Sequence, residues 1–322
     1  MPLVAKVMFG FLVLLAVAVA LTYWRAGQRE AAAEAAYPPS GQLLDVDGVQ
    51  VHVHVSGSGP DIVLLHGAGG SLRDFTFDLV ERLSDRYRVI AFDRPGHGYT
   101  DAFDAAGNPI SSPRDQAALL QAAAKQLSVT RPLVLGHSFG GSVAMAWALE
   151  QPQDTAGIIL LAGATMPWPG ELSASYKINS STLGSALVVP AITAWVPMSY
   201  ARKVLAGIFT PQTMPQTYPE GFGLPMALRR GLLRANARQV NQLRPYVVEM
   251  SALYPSLTMP VALIHGTADD IVPLVVHSGP LSTLLPNAEL TVLDGVGHMP
   301  QHAVPDRIEA AIDRTAERAG LR

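Results

Sequence analysis

Leu133-Val134-Leu135-Gly136-His137-Ser138-Phe139-Gly140-Gly141 joins a short apolar run to a glycine-flanked serine, and Val143 to Leu149 then continues apolar. A run this short that ends at glycine reads as a buried strand, whereas Phe139 to Glu150 is long enough for a helix. The pattern between them, G-x-S-x-G, matches a nucleophile elbow: a sharp strand-to-helix turn that exposes the serine hydroxyl. Ser138 is therefore the candidate nucleophile. The helix N-terminus behind it would favour developing negative charge.

Outward from this turn the chain alternates apolar strands and helical segments. Upstream, Gln42–Val46 and Val49–Val55 flank Asp47-Gly48, a two-residue hairpin signal. Ile62–Leu65 and Arg88–Phe92 are buried-type strands, with Leu72 to Leu83 at helical spacing between them. Pro113 to Leu127 reads as a helix with proline in its first turn. Downstream, Ile158–Leu161, Val261–Ile264 and Leu290–Leu293 are further strands, and Val304 to Glu317 is a closing helix. Continuous apolar runs instead of alternation predict a mostly parallel sheet covered by helices on both faces, an α/β fold.

Composition excludes several classes. Charged residues are only 15% and hydrophobic ones 49%, so the chain is not disordered. A net charge of -3 gives no electrostatic footprint for nucleic acid. The absence of cysteine removes disulfides, thiolate metal sites, a cysteine nucleophile and a lipid-modified N-terminal cysteine. No residue pattern calls for a cofactor or a metal.

Part of the apolar excess sits at the N-terminus. Val7 through Trp24 is uncharged, at the short end of the about 17–25 residues that span a bilayer. Tyr23 and Trp24 stand where an interfacial aromatic belt would lie. Residues 1–24 are therefore read as a single-pass transmembrane anchor. The rival is a cleaved signal peptide leading to export, with Ala18-Val19-Ala20 as its cleavage site. Residues 25–41 read as a linker, its Ala- and Glu-rich part Arg25 to Ala36 compatible with a short helix and stopped by Tyr37-Pro38-Pro39-Ser40-Gly41, and residues 42–322 as the catalytic body. Between about 165 and 258 no clean strand appears, and Ile178 to Ala201 carries no charge at all. Its Asn179-Ser180-Ser181-Thr182 run, Pro190 and Pro197 argue against a second span. This stretch reads as an inserted helical cap.

Further motifs stand in order around the elbow. His66-Gly67-Ala68-Gly69-Gly70 follows the third strand, and Asp93-Arg94-Pro95-Gly96-His97-Gly98 follows the fourth. Gly266-Thr267-Ala268-Asp269 with Pro273, and Gly297-His298-Met299-Pro300, come after the last two strands. On these motifs the chain, over about residues 42 to 320, resembles the α/β-hydrolase superfamily, in a capped form. The resemblance implies an oxyanion loop at 66–70, with the backbone amides of Ala68 and Phe139 as donors. It implies Asp269 as the triad acid and His298 as the base, in the superfamily's order Ser138, Asp269, His298. The chemistry agrees: a serine needs an adjacent base, and the base a carboxylate that fixes its tautomer.

The expected function is a serine hydrolase cleaving an ester or related acyl bond of a small to medium apolar substrate through an acyl-enzyme. Met166, Trp168, Leu183, Leu187, Val188 and Trp195 are among the cap residues expected to line its pocket. Within the fold, epoxide hydrolases and haloalkane dehalogenases use an aspartate where Ser138 stands. Carbon–carbon bond hydrolases, thioesterases, lactonases, peptidases and cofactor-free haloperoxidases share the triad and stay open as alternatives. A non-catalytic membrane-tethered binding protein is the alternative from another class. Other histidines receive structural readings. His52 and His54 are a half-exposed strand edge rather than a metal pair. His66 braces the oxyanion loop, and His97 and His265 belong to loops. His137 shapes the pocket beside the nucleophile, and His277 and His302 lie at the surface. Asp93 is a loop brace. Ala303 stands where many relatives carry glutamate, which affects local bracing.

Overall fold

The computed structural model describes residues 3–322. Eight strands form one sheet: β1 Gln42–Val46, β2 Val49–Ser56, β3 Asp61–Leu65, β4 Arg88–Phe92, β5 Leu133–His137, β6 Gly157–Leu161, β7 Val261–Gly266 and β8 Ala288–Leu293. Their order is β1-β2-β4-β3-β5-β6-β7-β8. The opening hairpin is antiparallel to its neighbours, and every pair from β4 to β8 is parallel. The chain moves outward from β3 to β4 and then returns to place β5 on the other side of β3. That reversal makes the C-terminal ends of β3 and β5 the place where a crevice opens in sheets of this kind.

Successive side chains of a strand face opposite ways, so a doubly covered strand must be apolar at every position. Ile62 and Leu64 enter one core with Leu72, Leu79, Leu83, Ile308 and Ile312. Val63 and Leu65 enter the other, with Leu120, Val143, Trp147 and Val247. The helix predicted over Leu72 to Leu83 is two pieces, Arg73–Thr76 and Leu79–Ser84, with Asp78 at φ -151° between them. Phe77 turns there to meet the rings of Tyr218 and His302, a tertiary contact that overrides the local period.

Between β6 and β7 lies the helical excursion, ending in a long helix, Arg230–Ser251. The largest departure from expectation is the N-terminus. Leu3–Ala36 is one helix, so the short helix compatible with residues 25–36 is an unbroken continuation of the apolar segment, docked on the body. Their alanines have a packing role. Ala26 and Ala33 are fully or nearly fully buried, and such small side chains allow close approach of the cap helix Val189–Trp195. Polar ties run along the contact. Glu30 accepts from the Arg230 backbone N–H at 2.7 Å and from its guanidinium at 2.6 Å, and Glu34 accepts from Arg229 at 2.9 Å. Arg25 donates to the Ala194 carbonyl and Arg29 to that of Val196, each at 2.9 Å.

Candidate active site

Ser138 sits between β5 and the helix Phe139–Glu150, at φ 52° and ψ -118°. A non-glycine residue held there is strained, and such strain gathers at functional turns. The turn is tight enough that a Cβ on Gly140 would overlap the Leu65 carbonyl. Ser138 is buried to 7% exposure at the end of the sheet where β3 and β5 part.

His298 and Asp269 meet there. The His298 Nδ1–H donates to Asp269 Oδ2 at 2.8 Å. The other carboxylate oxygen accepts from the backbone N–H groups of Ile271 and Val272, both at 2.9 Å. Burial raises the Asp269 pKa, but the hydrogen bonds from His265 and His298 outweigh it and hold the carboxyl well below its usual range. His265, fully buried, donates through Nε2 to the Val272 carbonyl at 2.6 Å with Asp269 Oδ2 3.2 Å away. Its Nδ1 accepts from the Ser278 hydroxyl at 2.7 Å. Thus Asp269 stays charged and fixed in orientation. Asp270, its neighbour, is exposed.

The loop after β3 passes beside the serine, where a Cβ on Gly67 would lie 3.2 Å from Ser138 Cβ. The Gly67 carbonyl accepts from His66 Nδ1–H at 2.8 Å, Arg94 Nη2 at 3.0 Å and the Gly70 N–H at 3.3 Å. A trans peptide points its N–H opposite to its C=O. Tying down the Gly67 oxygen therefore aims the Ala68 N–H away from those three donors, and that N–H bonds to nothing among the described residues. Phe139 N–H, at the first turn of its helix, likewise has no intrahelical acceptor. Two oriented backbone donors beside a serine can stabilise an oxyanion. Arg94 touches both halves of this arrangement. It is fully buried, donates to the His66 carbonyl at 2.7 Å and lies 4.4 Å over the Phe139 ring. Burial pulls its guanidinium down to about 9, so it remains cationic at neutral pH.

His137 donates through Nε2 to the His298 carbonyl at 2.9 Å, with the two rings 5.0 Å apart. Burial lowers His137 to about 4, which keeps it neutral. The Ser138 hydroxyl and His298 Nε2 share no hydrogen bond among the described residues. In ligand-free sites that bond is often long and tightens with substrate.

Sequence reasoning missed a second buried cluster. Asp74 Oδ1 accepts from the Tyr218 hydroxyl at 2.6 Å and from His302 Nε2–H at 2.8 Å, and Oδ2 accepts from Gln301 at 3.1 Å. Burial pushes this carboxyl up, but the His302 bond prevails and lowers it to about 2. His302 is thus not a surface residue: its side chain is 3% exposed, among the rings of Phe77, Phe209 and Tyr218. Nor is His277, which is buried and accepts from the Met166 N–H at 3.2 Å. His52 is buried as well, donating to Asp93 at 2.6 Å. Asp93 also accepts from the Leu72 and Tyr99 N–H groups, as a loop brace does. Of the expected pocket residues, Met166 and Trp168 pack against the core, whereas Leu183, Leu187, Val188 and Trp195 face outward.

The sheet order, the elbow and its loops agree with a match to the family described as the alpha/beta hydrolase family, over residues 62–311. The chain is an α/β hydrolase. Haloalkane dehalogenase 2 of Mycobacterium tuberculosis is 28% identical to it over 280 residues, covering 86% of this hydrolase and 94% of the relative. A pimeloyl-[acyl-carrier protein] methyl ester esterase of Nitrosomonas europaea is 29% identical over 286 residues, covering 82% and 98%. A solved structure of a bacterial membrane phospholipase A superposes with a TM-score of 0.68 at 21% identity, covering 97% of the hydrolase and 99% of that chain. The last similarity concerns the fold, and its coverage extends onto the N-terminal helix.

Proposed function

We propose that this hydrolase cleaves an ester or related acyl bond of a small to medium apolar substrate, with Ser138 as nucleophile, His298 as base and Asp269 as the carboxylate that orients it. The observation that carries the reading is the strained Ser138 turn, whose neighbour His137 bonds to the His298 carbonyl and so brings the hydrogen-bonded His298–Asp269 pair to the same end of the sheet. With Nδ1 committed to Asp269, His298 offers Nε2 as the acceptor of the serine proton. Ser138 Oγ then attacks the acyl carbon, and the Ala68 and Phe139 N–H groups receive the oxyanion. The leaving alcohol departs with the proton from His298. Water, deprotonated by the same nitrogen, releases the acid from the acyl-enzyme. No step requires a metal or a cofactor.

The esterase relative supports acyl-bond chemistry. The dehalogenase reading is disfavoured because a serine, not an aspartate, stands at the elbow. The N-terminal helix favours an apolar substrate; it is here taken as a membrane anchor over residues 1–24 that carries the domain 42–322 with its cap at about 165–258. An 18-residue window of the helix Leu3–Ala36 with a mean hydropathy of 2.6, none of it buried in the protein, supports the anchor.

The test is labelling by a fluorophosphonate probe, followed by kcat/KM for p-nitrophenyl esters from acetate to palmitate. Labelling at Ser138 and an optimum at intermediate chain length are expected. Absent labelling of folded protein would reject the triad. Activity confined to charged acyl groups or peptides would promote the thioesterase or peptidase reading.

A further inference from the structure

The uncharged stretch Ile178 to Ala201 has no part in the chemistry described above, and much of it is not core. Leu183 is 74% exposed, Leu187 53% and Trp195 48%, with Val188 also exposed. Neighbouring large apolar side chains left open to water mark an interaction surface. What covers them is indicated by where they sit on the N-terminal helix. Contacts between that helix and the cap run in order up its length. Glu34 meets Arg229, Glu30 meets Arg230, Arg29 meets Val196, and Arg25 meets Ala194. The last two are Thr22, which accepts from Trp195 Nε1 at 3.1 Å, and Tyr23, whose hydroxyl donates to the Ala186 carbonyl at 2.7 Å. Above that level the helix projects free of the body as an apolar rod. The exposed cap residues flank Ala186 and include Trp195, so they stand at the height where the rod leaves the protein.

We propose that Leu183, Leu187, Val188 and Trp195 form a second membrane contact, resting in the headgroup layer of the bilayer that the N-terminal helix enters. This rests on the anchor reading given above. The segment is not a straight second span, because the helices Gly184–Trp195 and Met198–Ile208 meet at 102°, and Val189, Pro190, Thr193, Ala194, Ala201 and Leu205 are buried against the rest of the protein. A short apolar face beside an interfacial tryptophan suits a segment lying in the interface rather than crossing it. Two contacts fix orientation where one helix alone allows rotation. The cap, and the site beneath it, would thereby be held against the lipid surface from which an apolar substrate partitions.

The cysteine-free chain allows a direct test. Full-length Leu187→Cys, Val13→Cys and Gln153→Cys each carry one environment-sensitive fluorophore. They are reconstituted in vesicles of equal parts phosphatidylcholine and phosphatidylglycerol with brominated acyl chains. Gln153 is exposed beyond the far end of the elbow helix and serves as the aqueous control. Quenching at 187, stronger for bromine placed near the headgroups than near the chain ends, is expected, with none at 153. Quenching at 13 but not at 187 would overturn the cap contact and leave the anchor intact. Loss of quenching at 13, with a mature chain beginning after Ala20, would remove the anchor, and absent quenching at 187 would then remove the cap contact with it. A disulfide-linked dimer through unlabelled Leu187→Cys in the vesicles would assign the ridge to a second copy and overturn the proposal.

Discussion

Replacing Arg94 with methionine tests what the buried guanidinium does for the proposed oxyanion donors, and it also removes the Nη1 bonds to Gln116 Oε1 at 2.8 Å and Gln239 Oε1 at 3.1 Å, a loss expected in stability rather than in kcat. Methionine fills comparable volume but donates nothing, so the His66 carbonyl loses its 2.7 Å bond and the Gly67 carbonyl its 3.0 Å bond from Arg94. The His66 Nδ1 bond at 2.8 Å remains and still restrains the Gly67–Ala68 peptide. Removing an oxyanion donor outright costs about 10²–10³ in kcat. A donor that is loosened and not deleted should cost less, so a fall in kcat of about 10- to 10²-fold is expected, or roughly 1.4–2.7 kcal/mol of barrier. KM should change little, because the ground-state carbonyl depends less on these donors than the oxyanion does. Arg94→Lys should recover part of the loss, since an ammonium can reach one carbonyl but cannot span both. The assay is steady-state hydrolysis of p-nitrophenyl butyrate, with a thermal melt to confirm folding. A folded Arg94→Met variant with wild-type kcat, or one altered only in KM, would refute the reasoning.

Other outcomes follow from the same site. Ser138→Ala should fold and lose at least about 10³-fold in kcat, with no fluorophosphonate adduct by intact mass. Asp269→Asn should cost far more activity than Asp270→Asn, because an amide facing His298 Nδ1 selects the tautomer that cannot accept the serine proton; the reverse ranking in kcat/KM would reassign the acid. Acid should destabilise the fold. His97 is lowered to about 3, and His137 and His277 to about 4, from an ordinary 6.5. The unfolded chain therefore binds protons that the native one refuses, and their contribution is complete above 6.5 and lost as pH falls toward about 4. Each such histidine adds about 1.4 kcal/mol per pH unit in that window, and urea midpoints unchanged between neutral and acid pH would contradict this. Glu30→Ala should loosen the N-terminal helix from the cap and speed trypsin cleavage at Arg25 and Arg29, whereas an unchanged digestion pattern would show that the remaining ties from Glu34, Arg25 and Arg29 and the apolar contact hold it without Glu30.

The sequence carried the strands and the elbow because their physics is local. Val63 and Leu65 are apolar for the same reason as Ile62 and Leu64: both faces of the sheet are covered. Asp269 and His298 stand in loops whose glycines and prolines mark them as turns, and the residues are hydrogen-bonded across a separation of 29 positions. Side-chain partners joined only by the fold were not legible. Asp74 lies in a helix whose period marks an apolar face, and nothing local shows that it turns inward to Tyr218 and His302, 144 and 228 residues away. His52, His277 and His302 were misplaced for the same reason. That residues 25–36 dock on the body was not legible, because alanine and glutamate composition describes a solvated helix as well as a docked one. The difference lies in Arg229 and Arg230, about 200 positions downstream.

The Tyr218–Asp74 bond ties the cap to the loop that carries His298, through Gln301 and His302. Swinging the whole cap aside would strand a buried carboxylate without its tyrosine, and a hydrogen bond to a charged group contributes about 1.5–3 kcal/mol. That penalty alone thins a fully open population by roughly 10- to 10²-fold. Substrate traffic is thereby pushed toward smaller movements at the other side of the cap, away from the aromatic latch. Mutating Tyr218 would trade a quiet doorway for a loose roof.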